Sequence, residues 1–254
     1  HALPQDIAKY ENTYIPGWDS IRQARHQRMT KLGFPKVNLS PVLPNLGPPY
    51  HFPDQLKILG SGEVNRPLPW GELTKEQKAF QSRKMAIHAA MIDRMDQEIG
   101  RIITHLKKRD RFDNTLIIFT GDNGGEQNLS LTYPMHGFKH EPFDGGIRVP
   151  YIVWSKPLQN SESKPDYYDG LVSLCDILPT SLKYVDPSTE LASLKSDGTD
   201  IMPYLMGKEP PLKGRAYINL RTLNHRSNTW KGGRDTKGKT IGSCIALLVD
   251  DCKL

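Results

Sequence analysis

The strongest pattern in the chain runs from residue 74 to residue 106, where apolar side chains recur every three or four positions. Met85, Ile92, Met95, Ile99, Ile102, Ile103 and Leu106 fall on one stripe, the spacing of a helix with a single apolar face. Thr74 followed by Gln77 has the form of a capping box, which marks where that helix begins. The stripe predicts a long amphipathic helix covering a sheet, with its methionines as core filler and His88 packed inside. The run "TLIIFT" (115–120) then breaks the helical period. It is continuous, short and partly β-branched, as in a strand buried on both faces. "VPYIVWS" (149–155) repeats the pattern, "GLVSLCDILPTSLKYV" (170–185) reads as a helix, and "AYINL" and "CIALLVDD" read as later strands.

Upstream, "QDIAKYENTY" and "WDSIRQARHQRMTKLG" predict short helices, the second stopped by Gly33 and Pro35. From 35 to 72 the chain is rich in Pro and Gly, an irregular connection that is long for a compact domain. Strands alternating with helices predict an α/β fold, its sheet covered by helices on both faces. Three stretches follow from this: a helical and Pro/Gly-rich region at 1–72, a helix–strand core at 73–185, and a C-terminal region with a small sheet at 186–254. No internal repeat is visible.

Composition narrows the classes. With 37% hydrophobic and 24% charged residues the chain is on the polar side of a globular composition, and no apolar run approaches the roughly 18 residues of a membrane helix. The net charge is +6, but the cations are scattered. The one cluster, "LKKRDR" (106–111), closes a predicted helix, where positive charge suits the helix dipole; no nucleic-acid partner is expected. Cys175, Cys244 and Cys252 form neither a disulfide framework nor a zinc site. Cys244 and Cys252 could pair, leaving Cys175 buried. "NLS" at Asn38 and at Asn128 would be a glycosylation acceptor in a secreted chain. "HALPQDIAKY" has no signal-peptide pattern and no initial Met, so a processed or truncated chain is expected.

The candidate chemistry begins at the end of the first strand. "GDNGG" (121–125) places Asp122 and Asn123 beyond its carboxyl end, where ligands bind in α/β sheets. A carboxylate and an amide carbonyl are hard donors, suited to Ca²⁺ or Mg²⁺. Glycines beside them leave room for an ion or a substrate. Alone, the motif is weak and is more often just a turn, since these residues favour left-handed and Asx-turn conformations.

The following "YPMHGFKHEPFDGGIRVPYIVWS" (133–155) adds a lone Lys139 after a glycine, then Asp144-Gly145-Gly146, then Arg148-Val149-Pro150. In this order the segments resemble the sulfatase family of the alkaline-phosphatase superfamily, which reads strand, S/T-x-D-N-G, loop, G-x-K, E-G-G-x-R-x-P, strand. "AAMIDRMDQEIGRIITHLKKRDRFDNTLIIFTGDNGG", "LVSLCDILPTSL" and "SDGTDIMPYLMG" look like its flanking segments. The resemblance implies an alkaline-phosphatase-like α/β fold, incomplete on its N-terminal side. It also implies a sulfuric ester hydrolase that acts on a sulfate-ester small molecule or glycan. Asp122 and Asn123 match calcium ligands (Mg²⁺ being an alternative). Lys139 matches the catalytic cation that holds the sulfate, which suits a charge developing in transfer. Arg148 reads as an anchor of the loop. Asp144 stands where glutamate is commoner. His136 and His140 read as hydrogen-bonded surface histidines, with His136 also a candidate for substrate contact.

The family's nucleophile, a formylglycine made from the cysteine of C-x-P-x-R, has no match. It is expected from a preceding segment, either part of the same protein or a separate N-terminal half. Compartment follows the family: secreted, periplasmic or lysosomal. Two other readings compete, a non-catalytic sulfatase-like protein and a phosphodiesterase or phosphonate hydrolase of the same superfamily.

Overall fold

The computed structural model describes residues 2–34, 38–39, 57, 68–126, 132, 135–213, 215–221, 244–249 and 252–253, with side chains described as far as Arg215. Most of the Pro/Gly-rich connection and Asn128 therefore lie outside the described residues. The chain divides into two compact units, residues 1–110 with 127–134, and residues 111–126 with 135–254.

The first unit is helical. Pro at its first position opens α1 (Pro4–Ala8), where a missing N–H costs nothing. After it comes α2 (Trp18–Lys31), which ends as its sequence predicts. Gly33 takes φ +85°, its N–H bonds the Thr30 carbonyl, and the Phe34 N–H reaches back to Met29. That pair of bonds is a Schellman stop. Gly17 opens α2 at φ +90°, where a Cβ would lie 2.4 Å from the Trp70 ring; Trp70 meets Trp18 edge-on, with ring centroids 4.9 Å apart.

The long helix α3 (Lys75–Lys108) starts with the expected capping box. The Gln77 N–H donates to Thr74 Oγ1, and the Thr74 N–H to Gln77 Oε1. Its buried face is not the one the periodicity singles out. Ser82, Ala86 and Ala90 are buried. On the same side, Asp93, Arg94 and Gln97 meet α1 through Lys9 and Asp6. The apolar stripe lies on another side and stays largely open, with Met95 47% and Ile102 62% exposed. His88 is exposed as well, not packed. The reason is local: small side chains let α1 approach, and the Asp6 carboxylate needs the donors that face supplies.

In the second unit β1 (Ile117–Thr120) pairs antiparallel with β2 (Tyr151–Trp154), Ile117 opposite Trp154 and Thr120 opposite Tyr151. Neither strand is buried on both faces, since Phe119 is 40% and Ile152 58% exposed. The antiparallel pairing sets the end of β1 beside the start of β2. The chain between them carries α4 (Asp144–Ile147). After β2 come α5 (Lys156–Gln159), α6 (Ile177–Val185) and α7 (Met202–Leu205). Residues 170–173 of the expected helix are not helical; a 3₁₀ turn at Leu174–Asp176 leads into α6. Cys175 in that turn is an exposed thiol, not a buried one. The two later strand expectations hold: β3 (Ala216–Arg221) pairs antiparallel with β4 (Cys244–Val249), which continues to β5 (Cys252–Lys253). The side chains of Cys244 and Cys252 lie outside the described ones.

Candidate functional site

The segment from Gly121 to Pro150 is an excursion closed at its base, where the Gly121 N–H meets the Pro150 carbonyl at 3.4 Å. Backbone bonds knit it together inside. The Gly124 N–H donates to Gly146 O at 2.7 Å, the Gly145 N–H to His136 O at 2.7 Å, and the Lys139 N–H to Gly125 O at 2.8 Å. These bonds draw the "GDNGG" tip, the "HGFK" segment and the "DGGIR" return onto one another. Lys139 is thereby tied, through its own amide, to a residue only two positions beyond Asn123.

Such packing needs glycine. A Cβ on Gly124 would sit 1.9 Å from the Gly145 carbonyl oxygen, one on Gly145 1.9 Å from the Gly137 oxygen, and one on Gly146 2.1 Å from the Glu141 oxygen. Gly137 also turns at φ +79°, a conformation in which L side chains are strained. The paired glycines of this stretch are therefore where main chain meets main chain, beyond leaving room for a ligand. The Phe138 N–H donates to the Glu141 carboxylate at 3.1 Å and fixes the turn that carries Lys139.

Asp122 is exposed, while Asn123 and Lys139 are half-buried. Asn123 spends its amide nitrogen on the Gly124 carbonyl at 3.0 Å, so its Oδ1, a hard acceptor, is the atom left to face a cation. Asp122 and Asn123 together offer two kinds of oxygen donor to Ca²⁺ or Mg²⁺, which fits part of a coordination shell. Among the described residues no group of three or more His, Cys, Asp or Glu could hold a metal ion, and Ca²⁺ takes about six to eight oxygens. His136 is exposed; its ring lies edge-on to Phe143, with centroids 4.5 Å apart. His140 is exposed at φ +74°, and Arg148 is exposed at the end of α4.

A polar centre that sequence reading missed lies farther along. Asp176 is fully buried and takes a bidentate pair of bonds from Arg215, 2.9 Å from Nη1 and 2.6 Å from Nη2. It also accepts from the Ser173 and Thr199 backbone N–H groups. The "CDILP" and "SDGTD" segments are bound through it, and Gly198 has no room for a Cβ against the Cys175 carbonyl, 2.0 Å away. Burial, with the charge of Asp176 adding to it, pushes the Tyr151 phenol above its ordinary pKa. Partners 39 residues apart leave no local signal, which is why spacing did not reveal the pair. Its role is structural. It carries opposite charges already matched, and the Asp176 carboxylate accepts two bonds at each of its oxygens.

The model of the sulfatase family matches residues 3–187. An uncharacterized sulfatase of Escherichia coli, YdeN, is 34% identical over 141 residues, 55% of this chain and 24% of its own length. An uncharacterized sulfatase of Schizosaccharomyces pombe is 31% identical over 219 residues, 71% of this chain and 36% of its own. Among solved structures, Ps i-CgsB aligns with 92% of this chain and 45% of that one, at 21% identity and a TM-score of 0.49. The chain thus spans about a third or less of the length of these two curated relatives. The family match covers well over half of the chain: the chain belongs to the sulfatase family.

Proposed function

We propose that this chain supplies the metal-binding tip and the sulfate-binding cation of a sulfuric ester hydrolase, acting on an aryl or carbohydrate sulfate. The observation that carries the reading is the backbone cage, in which the Lys139 N–H bonds Gly125 O and the Gly124 N–H bonds Gly146 O. A turn made only of Asx geometry would not need a lysine-bearing loop pinned against it by glycines that exclude any Cβ.

Asp122 and Asn123 Oδ1 would hold Ca²⁺ (Mg²⁺ being the alternative), the remaining donors coming from elsewhere in the protein. Bound there, the ion supplies positive charge that neutralises sulfate oxygens. The chain's own work is positional. Lys139 offers a fixed ammonium to the charge that grows on the leaving ester oxygen and the sulfuryl group, an interaction stronger in the transition state than in the ground state. His136, steadied by Phe143, stands at the rim for substrate contact. The family's formylglycine nucleophile matches none of the three cysteines here and would come from an N-terminal portion of the same protein or from a separate chain. An extracytoplasmic site of action accompanies this reading.

The test uses the natural protein with 4-nitrophenyl sulfate and bis(4-nitrophenyl) phosphate, with and without a chelator. Calcium-dependent release of nitrophenol from the sulfate, with little from the diester, is expected. Faster cleavage of the diester would move the protein to the phosphodiesterase or phosphonate hydrolase class, and no turnover of either would leave the non-catalytic reading.

A further inference from the structure

Helix α2 meets the rest of its unit at its first turn, where Trp18 lies edge-on to Trp70. Its fourteen residues bury none of their number, and a helix polar on all sides normally depends on ion pairs or on a partner. Its cations recur at every third residue, Arg22, Arg25, Arg28 and Lys31, while its one acidic residue, Asp19, sits in the first turn where the dipole favours it. A three-residue step drifts by about 60° on a helix, so the four cations sweep about half of its circumference.

Arg25, Arg28 and Lys31 are exposed, and among the described residues none of the three has a carboxylate in ion-pair reach. The contrast within the same unit is sharp. Lys9 is paired with Asp6 and Asp93, Arg83 with Glu11, Arg94 with Asp6 and Glu98, and Arg101 with Glu98. Cations suit the last turn of any helix, which accounts for Arg28 and Lys31 singly. It does not account for Arg25, nor for three successive exposed cations on a helix that buries none of its residues.

We propose that the basic side of α2 is a docking surface for a sulfated polysaccharide, a site other than the strand tip that carries Asp122. Guanidinium forks match the oxygens of a sulfate group as they match those of phosphate. From Arg25 to Lys31 the cations extend about 9 Å along the axis, enough to meet more than one sulfate of a polymer. A nucleic acid fits less well, because no Phe, Tyr or Trp lies between Arg22 and Lys31 for bases to stack on. The choice of a sulfated polymer rests on the proposed sulfatase function; the cationic surface does not.

The experiment titrates the 254-residue chain into fluorescein-labelled heparin oligosaccharide and reads anisotropy over a range of salt. Arg25→Glu/Arg28→Glu should weaken binding about tenfold or more, on the scale of one or two lost charge-assisted contacts. Arg25→Gln/Arg28→Gln, which keeps helix propensity, should weaken it in the same direction. The control Lys108→Glu/Arg111→Glu makes the same change in net charge elsewhere and should alter binding less than about twofold, with circular dichroism unchanged throughout. Equal loss in the control would overturn the proposal, since net charge alone would then explain binding. So would undetectable binding at low salt, or tighter binding of single-stranded DNA that the α2 variants abolish. Turnover of 4-nitrophenyl sulfate by the natural protein is a separate readout. The α2 variants should leave it unchanged, so failure of the docking surface and failure of the sulfatase reading are distinguishable.

Discussion

At Gly124 a methyl group would land 1.9 Å from the Gly145 carbonyl oxygen, and at Gly100, an exposed position of α3, it would meet nothing within 4 Å. The two glycines should respond in opposite directions. Gly124→Ala is expected to destabilise by about 1–3 kcal/mol or more, because backbone must shift to admit the Cβ. Gly100→Ala should stabilise by about 0.5–1 kcal/mol through helix propensity. Urea denaturation of each variant measures both, and equal effects would mean that the cage around "GDNGG" is not tight. Family membership was readable in advance, because Asp122, Asn123 and Lys139 stand in the order and spacing that led to it. Burial of single residues was not. His88 and Cys175 are exposed although their neighbours in sequence are apolar, because a residue's exposure depends on which face its element turns inward, and one-dimensional spacing does not say.

Among elements, the capping box of α3 and the glycine stop of α2 were legible because capping is a contest among a few adjacent residues. The buried face of α3 was not legible. Hydrophobic period marks the stripe of Met85, Met95 and Ile102, but α1 docks on the side of Ala86, Ala90 and Asp93, drawn by a polar network around Asp6. That carboxylate is 1% exposed. Burial pushes its pKa up, yet hydrogen bonds from Gln97, Lys9 and Arg94 outweigh the burial and bring it down to about 2. A depressed carboxyl adds stability above its ordinary value of 3.8 and loses it as pH falls through that value towards about 2. Asp6→Asn should therefore lower the melting temperature at neutral pH, and the gap from the parent chain should close in acid. A gap that stays constant from neutral pH down to about pH 2 would show that the network is held by shape and not by charge.

For the molecule as a whole, two kinds of long-range closure hold the second unit together, and the sequence foreshadowed one of them. The antiparallel β1–β2 pair brings residues 121 and 150 to the same end, a consequence of two strands that the apolar runs had already marked. The Asp176–Arg215 pair ties segments 39 residues apart, with side chains 0% and 11% exposed. Removing one partner leaves a buried charge unmatched, so Asp176→Ala should cost about 3–5 kcal/mol by chemical denaturation; a loss below about 1 kcal/mol would show that water reaches Arg215 readily. The two strands' burial was overestimated because continuous apolar runs suggest cover on both faces, and among the described residues each has the other as its sole partner.

The central claim is that the loop pinned to the strand tip presents Lys139 to a sulfate ester. It is tested most directly by the steady-state turnover of 4-nitrophenyl sulfate by the natural protein and its Lys139→Ala variant, with calcium in excess and thermal stability measured in parallel. A fall in kcat of about 10²–10³, the scale of losing one preorganised stabilising group, with an unchanged melting temperature, is the result expected. Undiminished kcat in a folded variant would contradict it.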